Sequence, residues 1–292
     1  MMHGMDLDAP ALSLNCRGRL LDLTVPVVMG ILNLSQNSFF GPSTIAGEKA
    51  LLEKAEKQLS EGADILDIGA MTSKPGSQYI SSEQEWKLLA PALKSLRTQY
   101  PDAILSIDTH RSTTAEKCLA EGADIINDIT AGEGDPGMFP LLAKRNCPYI
   151  MMHMQGTPRT MQKNPQYNDV VLEVLDFFIK KLGMLREMGI KDVVLDPGFG
   201  FGKKVSHNYQ LLKGLKEFAF LECPVLAGIS RKSMINKVLG TSPADALNGT
   251  TALHMVALSG GAHILRVHDV KEAVQCVQLF EAIKNADHDS SE

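Results

Sequence analysis

Three residues able to accept hydrogen bonds stand where apolar segments of the sequence end. Asp108, Asn127 and Asp196 each close a run that is otherwise typical of a buried strand. A polar side chain in an enclosed position costs on the order of 1–3 kcal/mol unless it finds a partner. Two carboxylates and one amide suit a flat heterocycle that presents several N–H groups. The structural alternative is that they cap neighbouring helices or pair with Lys232 and Arg266.

Cationic side chains follow the last two apolar runs. Arg231 and Lys232 lie in SRKS, and Arg266 and His268 lie in RVHD. In a barrel of alternating strands and helices, the loops after strands seven and eight commonly bind phosphate. Arg266 can hold phosphate oxygens in a fork, whereas Lys232 supplies a point charge. These residues predict an anion site. Solvated surface charge is the alternative, and for Arg231 it is an equally good interpretation.

Three other segments are candidates for the walls of this site. Residues 33–43 and 70–78 combine Gly and Pro with hydroxyl and amide side chains, a composition that suits covers closing over an anion. The segment DPGFGFGK has glycines that permit a tight backbone and two aromatic faces, Phe199 and Phe201. The segment around His153 is loop-like and gives no reason to assign that histidine as a base.

The elements that must position these residues are strands that alternate with helices. Apolar runs occupy 26–33, 64–69, 103–108, 124–128, 149–154, 192–196, 225–230 and 263–269. Helices are predicted over 46–61, from Ser81, over 112–121, after Asp135-Pro136, over 169–188, 206–218 and 232–239, from Ser242-Pro243 and over 270–285. This order predicts an α/β fold of the (β/α)₈ TIM-barrel type, whose strand ends meet at one rim.

An internal repeat supports the barrel. EGADILDIGA begins at Glu61, EGADIINDIT begins at Glu121, and SGGAHILRVHD at Ser259 is a looser copy. Each reads as a helix that ends in a glycine cap, followed by a short turn into a buried strand. A doubly wound open sheet is the alternative. Against it, no G-x-G-x-x-G follows the first strand, and polar residues end nearly all the strands rather than one switch point.

Composition limits the class of protein. The chain has 292 residues, 44% of them hydrophobic and 22% charged, which suits one soluble barrel domain. Its formal charge of -5 gives no basic footprint for nucleic acid, which we do not expect as a partner. Five scattered cysteines without a C-x-x-C pair indicate reduced, buried thiols.

The domain organisation follows from the same patterns. Residues 1–24 are predicted to form an extension with a β-hairpin around Arg17-Gly18, which could plug the rim opposite the site. Residues 25–286 form the barrel, and 287–292 form a disordered tail. The sequence shows neither a basic leader with an apolar core nor a run near the ~20 apolar residues of a membrane helix. A cytoplasmic protein without a membrane partner is expected.

Several ordered segments resemble the dihydropteroate synthase family, pterin-binding enzymes of the folate pathway. MGILNLSQNSF resembles the family's MGILN-x-TPDSF, and DIGAMTSKPG resembles its DIGG-x-STRPG. Close matches are SIDTHR, INDI, DPGFGFGK, GISRKS and RVHDV. The resemblance implies a magnesium-dependent transferase that joins a dihydropterin diphosphate to the amine of 4-aminobenzoate and releases pyrophosphate. It also implies a homodimer, formed through the last helices.

The resemblance also implies residue roles. The pterin site comprises Asp108, Asn127, Met152, Asp196 and Lys232. The diphosphate site comprises Asn33, Thr72, Ser73, Arg266 and His268, with Mg²⁺ at Asn33. The 4-aminobenzoate site, where sulfonamides compete, comprises Pro75, Phe201 and Ser233. The catalytic residues are Asp108, Lys232 and Arg266. A loose, dissociative displacement is expected, in which the Asp108 carboxylate stabilises the methylene cation.

Two loops depart from the family pattern. Ser35-Gln36-Asn37 replaces Thr-Pro-Asp, and Thr72-Ser73-Lys74 replaces Ser-Thr-Arg. The missing carboxylate at Asn37 is expected to weaken closure of the first loop. Lys74 keeps the positive charge but loses the guanidinium fork. Catalysis is expected to survive, since the pterin and anion groups are intact.

Two other functions are compatible with the pattern. One is a related methyltransferase that moves a methyl group from methyltetrahydrofolate to a corrinoid protein. The other is a paralogue that binds a pterin without turning it over. The cations of SRKS and RVHD fit a diphosphate leaving group better than a neutral methyl donor.

Overall fold

The described chain comprises a short hairpin and a barrel. The computed structural model describes residues 12–34, 45–70 and 80–286. The predicted extension before residue 12 and the predicted tail from residue 287 therefore lie outside the described residues, as do most of the two predicted covers. Within the described ranges, no helix is long and apolar enough to cross a membrane.

The N-terminal hairpin is confirmed. Strand β1 is Ser13–Cys16 and β2 is Arg19–Asp22, and they pair antiparallel. The turn between them places Arg17 at φ 54° and Gly18 at φ 85°. Two successive positive φ angles are the requirement of a tight hairpin turn, and glycine meets that requirement without strain.

The predicted (β/α)₈ barrel is confirmed. Its strands are β3 Val27–Asn33, β4 Ile65–Gly69, β5 Ile104–Asp108, β6 Ile125–Asp128, β7 Tyr149–Met152, β8 Val193–Asp196, β9 Leu226–Ala227 and β10 Ile264–Val267. Neighbours in the order β8-β7-β6-β5-β4-β3-β10-β9 pair in parallel. A parallel bridge between Leu195 and Val225 joins β8 to β9. The circle is thus closed, and the open-sheet alternative is wrong.

Helices alternate with these strands. They are α1 Ile45–Ser60, α2 Ser82–Gln99, α3 Ser112–Ala120, α4 Met138–Arg145, α5 Val170–Glu187, α6 Val205–Lys213, α7 Ser233–Leu239, α8 Leu247–Ser259 and α9 Val270–Asn285. The capping box predicted at Ser81 is present, because its hydroxyl accepts from the Gln84 amide and the Gln84 side chain accepts from Ser81. Such reciprocal bonds satisfy amide groups that have no partner inside the helix.

Three helix boundaries differ from the prediction. Asp135-Pro136 does not begin α4, since the Asp135 carboxylate accepts from Ser112 and Gly137 and closes a turn before the helix. Helix α8 begins after the predicted Ser242-Pro243. There, Arg231 donates to the carbonyls of residues 243 and 244, at 2.8 and 2.7 Å, and so occupies acceptors that a helix would need.

The third difference is at the end of α6. The predicted helix 206–218 stops at Gly214 and continues as a 3₁₀ helix, Leu215–Leu221. A side chain at Gly214 would stand 2.7 Å from a methyl carbon of Val171 on α5. The chain therefore passes close to α5 at this glycine, and a tighter helical turn follows.

The barrel interior is layered, because alternate strand residues point inward. An apolar layer near the amino ends of the strands comprises Ile65, Ile104, Ile125, Ile150, Val194, Leu226 and Ile264. Hairpin residues Leu14 and Cys16 and the following Leu23 pack into the same cluster, so the hairpin closes this end as predicted. Two residues further along the strands, the inward positions become polar, and they include Asp67, Ser106, Asn127, Asp196 and Arg266.

Polar contacts connect the hairpin to the barrel. Arg97 donates to the Asp124 carboxylate at 2.8 Å, next to the hairpin's Arg17, whose guanidinium is 3.8 Å from the same carboxylate. The backbone N–H of Asn15 donates to the Asp192 carboxylate at 3.0 Å. All five cysteines are buried and free, as predicted, and burial raises the pKa of Cys16 to about 12. They act as small core residues.

Candidate functional site

An arginine pinned by two carboxylates forms the centre of the polar layer. Arg266, on β10, donates from Nε to Asp67 at 2.7 Å and from Nη2 to Asp108 at 3.0 Å. Asp67 is completely buried on β4, and it also accepts from Ser106 at 2.7 Å and from Asn127 at 3.2 Å. Within the described residues, Nη1 of Arg266 makes no hydrogen bond. One edge of the guanidinium is therefore committed to the protein, and the other is left for a ligand.

The pKa values of Asp108 and Arg266 both reflect their burial and the charges beside them. Burial raises the pKa of Asp108 to about 7, against the opposing effect of Arg266, and the Asp67 carboxylate adds to the rise. Burial alone would lower the pKa of Arg266, but Asp67 and Asp108 outweigh it and hold the guanidinium charged. A cation bound beside Asp108 would favour the charged form of this carboxylate.

A further acidic side chain, that of Asp196, also lies at the mouth. Asp196 ends β8, is 6% exposed, and accepts from the Gly198 amide at 2.8 Å. Burial raises its pKa, and the charge on Lys232 acts in the opposite direction. A Cβ on Gly228 would be 3.8 Å from Lys232 Nζ and 3.9 Å from Asp196 Oδ2. The ammonium and the carboxylate therefore both lie close to this glycine.

Lys232 also lies against an aromatic ring. Its Nζ is 4.5 Å from the centre of the Phe201 ring and donates to the carbonyl of Phe199. Burial lowers the pKa of Lys232 to about 8, against the effect of Asp196. A cation over a ring face is stabilised by the ring quadrupole, which helps to keep this lysine charged at neutral pH.

An apolar wall adjoins these charges. Met152 at the end of β7, Met161 and Phe201 are all buried and pack together, with Ile129 and Met154 at the margin. Methionine side chains adapt to flat ligands and make favourable contacts with aromatic rings. The mouth therefore presents polar groups at its depth and a soft apolar surface at one side.

Three predicted residues lie nearer the rim. His268 follows β10 and its ring Nδ1 is 3.0 Å from Ser230 Oγ. Desolvation and the charge on Arg266 lower its pKa to about 4, so the ring is neutral at pH 7. Asn33 ends β3 beside Gly69 on β4, and Ser233 is the exposed first residue of α7.

The structure thus brings most of the predicted residues to one opening. Asp108, Asn127, Asp196, Lys232 and Arg266 occupy strand ends or the loops directly after them, as the sequence indicated. Thr72, Ser73 and Pro75, together with the altered positions Ser35-Gln36-Asn37 and Lys74, lie outside the described residues. Their assigned roles stay predictions.

Two residues have environments that the sequence did not indicate. Asp67, which holds Arg266, was not among the predicted site residues, although a lone carboxylate inside the apolar strand ILDIG is a usable signal. Arg231 is engaged with the protein: it pairs with Asp269 through two 2.8 Å bonds and adopts a positive φ of 56°. It fastens the loop after β9 to the start of α9.

Comparison with known proteins defines the class. Residues 29–268 match the pterin binding enzyme family, a range that begins in β3 and ends just after β10. It therefore includes every strand of the barrel and the polar layer described above. The chain belongs to the pterin binding enzyme family.

The similar proteins within this class are dihydropteroate synthases. One from Escherichia coli K12 is 39% identical over 277 residues, which cover 94% of this chain and 98% of that protein. One from Neisseria meningitidis serogroup C is 40% identical over 270 residues, covering 90% of this chain and 94% of that protein.

Solved structures agree. The Yersinia pestis dihydropteroate synthase in a sulfonamide drug complex has a TM-score of 0.87 and 38% identity, covering 94% of this chain and all of that one, 100%. The Xanthomonas albilineans enzyme with 4-aminobenzoic acid has a TM-score of 0.86 and 36% identity, covering 94% of this chain and 98% of that one. The same enzyme with 7,8-dihydropteroate has a TM-score of 0.82 and 34% identity, covering 93% and 98%.

Proposed function

We propose that this chain catalyses the dihydropteroate synthase reaction of folate biosynthesis. In it, (7,8-dihydropterin-6-yl)methyl diphosphate condenses with 4-aminobenzoate to give 7,8-dihydropteroate and pyrophosphate. The observation that carries the proposal is the meeting of Asp108, Asn127 and Asp196 with Arg266 and Lys232 at one barrel mouth. The similar X. albilineans enzyme, solved with 4-aminobenzoic acid and with 7,8-dihydropteroate, supports the same substrates.

The pterin ring is assigned to the deep polar groups. Its N–H edge faces the carboxylate of Asp196 and the amide of Asn127, and its carbonyl accepts from the Lys232 ammonium. Met152 contacts the ring face. Asp196 orients the ring through hydrogen bonds and takes no part in proton transfer. Orientation alone can supply much of the rate gain in such a displacement.

The reaction breaks one C–O bond and forms one C–N bond. As the bond between the methylene carbon and the diphosphate breaks, its electron pair leaves with the diphosphate. Positive charge then spreads from the methylene carbon into the pterin. The carboxylate of Asp108 stabilises this charge, because preorganised charges act strongly in an enclosed site. The amine nitrogen of 4-aminobenzoate attacks the carbon and releases a proton, and no bond to the protein forms.

The leaving group is assigned to the cationic side of the mouth. Arg266 offers the unused edge of its guanidinium, and neutral His268 donates one hydrogen bond. Thr72 and Ser73 are further candidates from the second loop. The aromatic amine is assigned to the wall that includes Phe201, beside Ser233 and Pro75.

A divalent cation that is bound mainly by the substrate diphosphate is compatible with the residues at this mouth. Among the described residues, no group of three or more His, Cys, Asp or Glu side chains could hold a metal ion. Magnesium needs few protein ligands, because it commonly binds substrate phosphates and keeps several waters. Asn33 is the candidate protein ligand. Mg²⁺ would neutralise charge on the departing diphosphate.

Assembly and location belong to the same proposal. The chain acts as a homodimer in the cytoplasm, on small-molecule substrates and without nucleic acid or membrane partners. Its net charge of -5 supports the absence of a nucleic-acid partner. Buried, free cysteines suit a reducing compartment.

A product assay tests the proposed reaction. Purified protein with both substrates and Mg²⁺ is expected to form dihydropteroate and pyrophosphate in equal amounts, and EDTA is expected to stop the reaction until Mg²⁺ is restored. Arg266→Met should lower kcat/KM by about a hundredfold or more, since it removes the charge at the leaving group. Lys237→Met, on the exposed face of α7, is the matched control and should change it little.

The outcomes separate the competing functions. Pterin binding without any product would identify a non-catalytic pterin protein. Methyl transfer from methyltetrahydrofolate to a corrinoid acceptor, without pyrophosphate release, would identify the related methyltransferase. Either result overturns the proposal.

A further inference from the structure

The loop between β8 and α6 lies in close backbone contact with the segment after β7. Gly198 and Gly202 have positive φ angles of 71° and 59°. A Cβ on Gly198 would be 1.9 Å from the carbonyl oxygen of His153, and one on Gly202 would be 2.4 Å from that of Gln155. Side chains at these positions would collide with main chain that cannot move independently. The two segments therefore form one packed layer beside the mouth.

A buried lysine joins these segments. Lys203 is 3% exposed, and its ammonium lies 3.0 Å from the Gly198 carbonyl oxygen, 3.1 Å from that of Phe201 and 3.4 Å from that of His153. The His153 ring nitrogen Nδ1 is a further acceptor, at 2.9 Å. Within the described chain, Lys203 forms no ion pair. Its hydrogen bonds go to the backbone turn and to the histidine beneath it.

The titration of both groups is consistent with this arrangement. Burial and the nearby lysine lower the pKa of His153 to about 2, so the ring stays neutral and can accept from the ammonium. Burial lowers the pKa of Lys203 to about 7, while Asp196 acts in the opposite direction. A buried lysine whose pKa is this close to neutral pH loses its proton easily. Its charged form therefore depends on the hydrogen-bond acceptors around the ammonium.

The turn that Lys203 holds carries groups of the proposed site. Phe201, whose carbonyl accepts from Lys203, packs on Met152 and lies under the ammonium of Lys232. A Cβ on Gly200 would be 3.2 Å from Lys232 Cδ. The shape of this turn therefore determines where the Phe201 ring and the Lys232 ammonium stand. The Lys203 ammonium lies among the carbonyl groups of this turn.

We propose that Lys203 is a positioning residue, whose ammonium shapes the turn Gly198–Gly202 so that Phe201 and Lys232 meet the ligands. The kinetic part of its test rests on the proposed function, since it uses 4-aminobenzoate as the second substrate. The binding part requires only that the mouth bind a pterin. The hydrogen bonds of Lys203 go to this turn and to His153, so its removal is expected to change the two sites through the backbone turn.

The test compares Lys203→Met with Lys204→Met. Methionine keeps most of the length of lysine and removes the donors, and Lys204 is the exposed next residue. In Lys203→Met, the KM for 4-aminobenzoate and the Kd of dihydropterin diphosphate are each expected to rise roughly tenfold or more, because small misplacements near a reacting centre are costly. In Lys204→Met, both constants are expected to stay within about twofold of the parent values.

A structural role alone would give a different result. Circular dichroism and Tm report the folded fraction, and all constants are measured well below Tm. The proposal is overturned if folded Lys203→Met keeps the parent KM and Kd. It is also overturned if the only change is a fall in apparent kcat that matches the fraction of unfolded protein. His153→Leu removes one acceptor and spares the carbonyls. It provides the second test where Lys203→Met does not fold, and a smaller rise in the same two constants is expected.

Failure of the proposed function is distinguishable. If the parent chain makes no dihydropteroate but binds dihydropterin diphosphate in calorimetry, the Kd comparison still decides the role of Lys203. An unchanged Kd in both Lys203→Met and His153→Leu would then overturn the inference.

Discussion

Arg266 and Asn127 are held in the barrel mouth by hydrogen bonds to buried or partly buried carboxylates. Arg266 gives Nε and Nη2 to carboxylates, which fixes the plane of the guanidinium, and keeps Nη1 for a ligand. Asn127 donates one amide hydrogen to Asp67. Residues anchored in this way lose little further rotamer freedom when a ligand binds, so their arrangement suits the proposed binding of a diphosphate and a pterin.

Asp196 is the residue whose removal is expected to affect pterin binding most. Asp196→Ala deletes a buried carboxylate at the strand end and leaves Lys232 without its counter-charge. We expect the Kd of dihydropterin diphosphate in calorimetry to rise about a hundredfold, since charged hydrogen bonds contribute roughly 1.5–3 kcal/mol. Asp192→Ala, just before the opposite end of β8, is the matched control. Equal affinity in both variants would remove Asp196 from the site.

The ionisation of Asp108 and Lys232 predicts a bell-shaped pH profile. The pKa of Asp108 is raised to about 7, so activity falls as pH decreases through that value and the carboxylate is protonated. The pKa values of Lys203 and Lys232 are lowered to about 7 and about 8, so activity falls again as pH increases and these two ammonium groups are lost. The profile of kcat/KM from about pH 6 to 10 measures both limbs. A flat profile would contradict these roles, and Asp108→Asn should remove the acidic limb.

Some site residues could be read from the sequence and others could not. Asp108, Asn127 and Asp196 could be predicted from the sequence because polar residues that end apolar runs are unusual. Asp67 was missed because it lies within an apolar segment and not at its end. The group that pairs with its buried carboxylate is Arg266, which is 199 residues away in the sequence. Lys203 was missed because three of its four partners are carbonyl groups, whose positions depend on backbone geometry and not on residue type.

At the level of elements, the strands position the site through their register. Met152 pairs with Asp196, and Asp108 pairs with Asn127, so residues distant in sequence become neighbours at the carboxyl edge. Strand periodicity predicts this, since side chains alternate every second residue. The start of α8 could not be predicted in the same way, because it depends on long-range hydrogen bonds from Arg231.

The hairpin is expected to stabilise the barrel without contributing to the site. Leu14 is 1% exposed within the apolar cluster that closes the amino end. Leu14→Ala should lower the free energy of unfolding by about 2–4 kcal/mol in chemical denaturation, as buried leucine truncations do. Leu20, on the same hairpin, is 74% exposed, and Leu20→Ala should change it by less than about 0.5 kcal/mol.

The Leu14 variant also separates fold from function. KM values measured where Leu14→Ala is folded should equal those of the parent, because the apolar layer lies between the hairpin and the mouth. A changed KM under those conditions, or equal destabilisation by both substitutions, would contradict this division of the barrel.

At the scale of the whole molecule, the last helices provide the proposed dimer surface. Leu279 and Ile283 are 61% and 68% exposed on α9, four residues apart and so on one face, and Val256 is 47% exposed on the neighbouring α8. We expect Leu279→Glu with Ile283→Glu to halve the mass measured by sedimentation. Leu172→Glu, at an exposed leucine on α5, is the control and should stay dimeric. A parent chain that is monomeric would exclude the proposed assembly.

The overall fold was the most predictable level. Repeated helix-to-strand joints and alternating elements define a barrel locally, so few long-range contacts are needed to recognise it. What the sequence could not supply is the depth order in the mouth, with Asp67 in the polar layer and His268 nearer the rim, because depth depends on how many residues each strand places above the apolar layer.

The most direct test is a crystal structure of this protein with a bound pterin and 4-aminobenzoate. We expect hydrogen bonds from the pterin N–H edge to Asp196 and Asn127, with Lys232 at the pterin carbonyl and the aminobenzoate ring against Phe201. A pterin bound away from Asp196 and Asn127, or at the end of the barrel that the hairpin closes, would contradict this expectation.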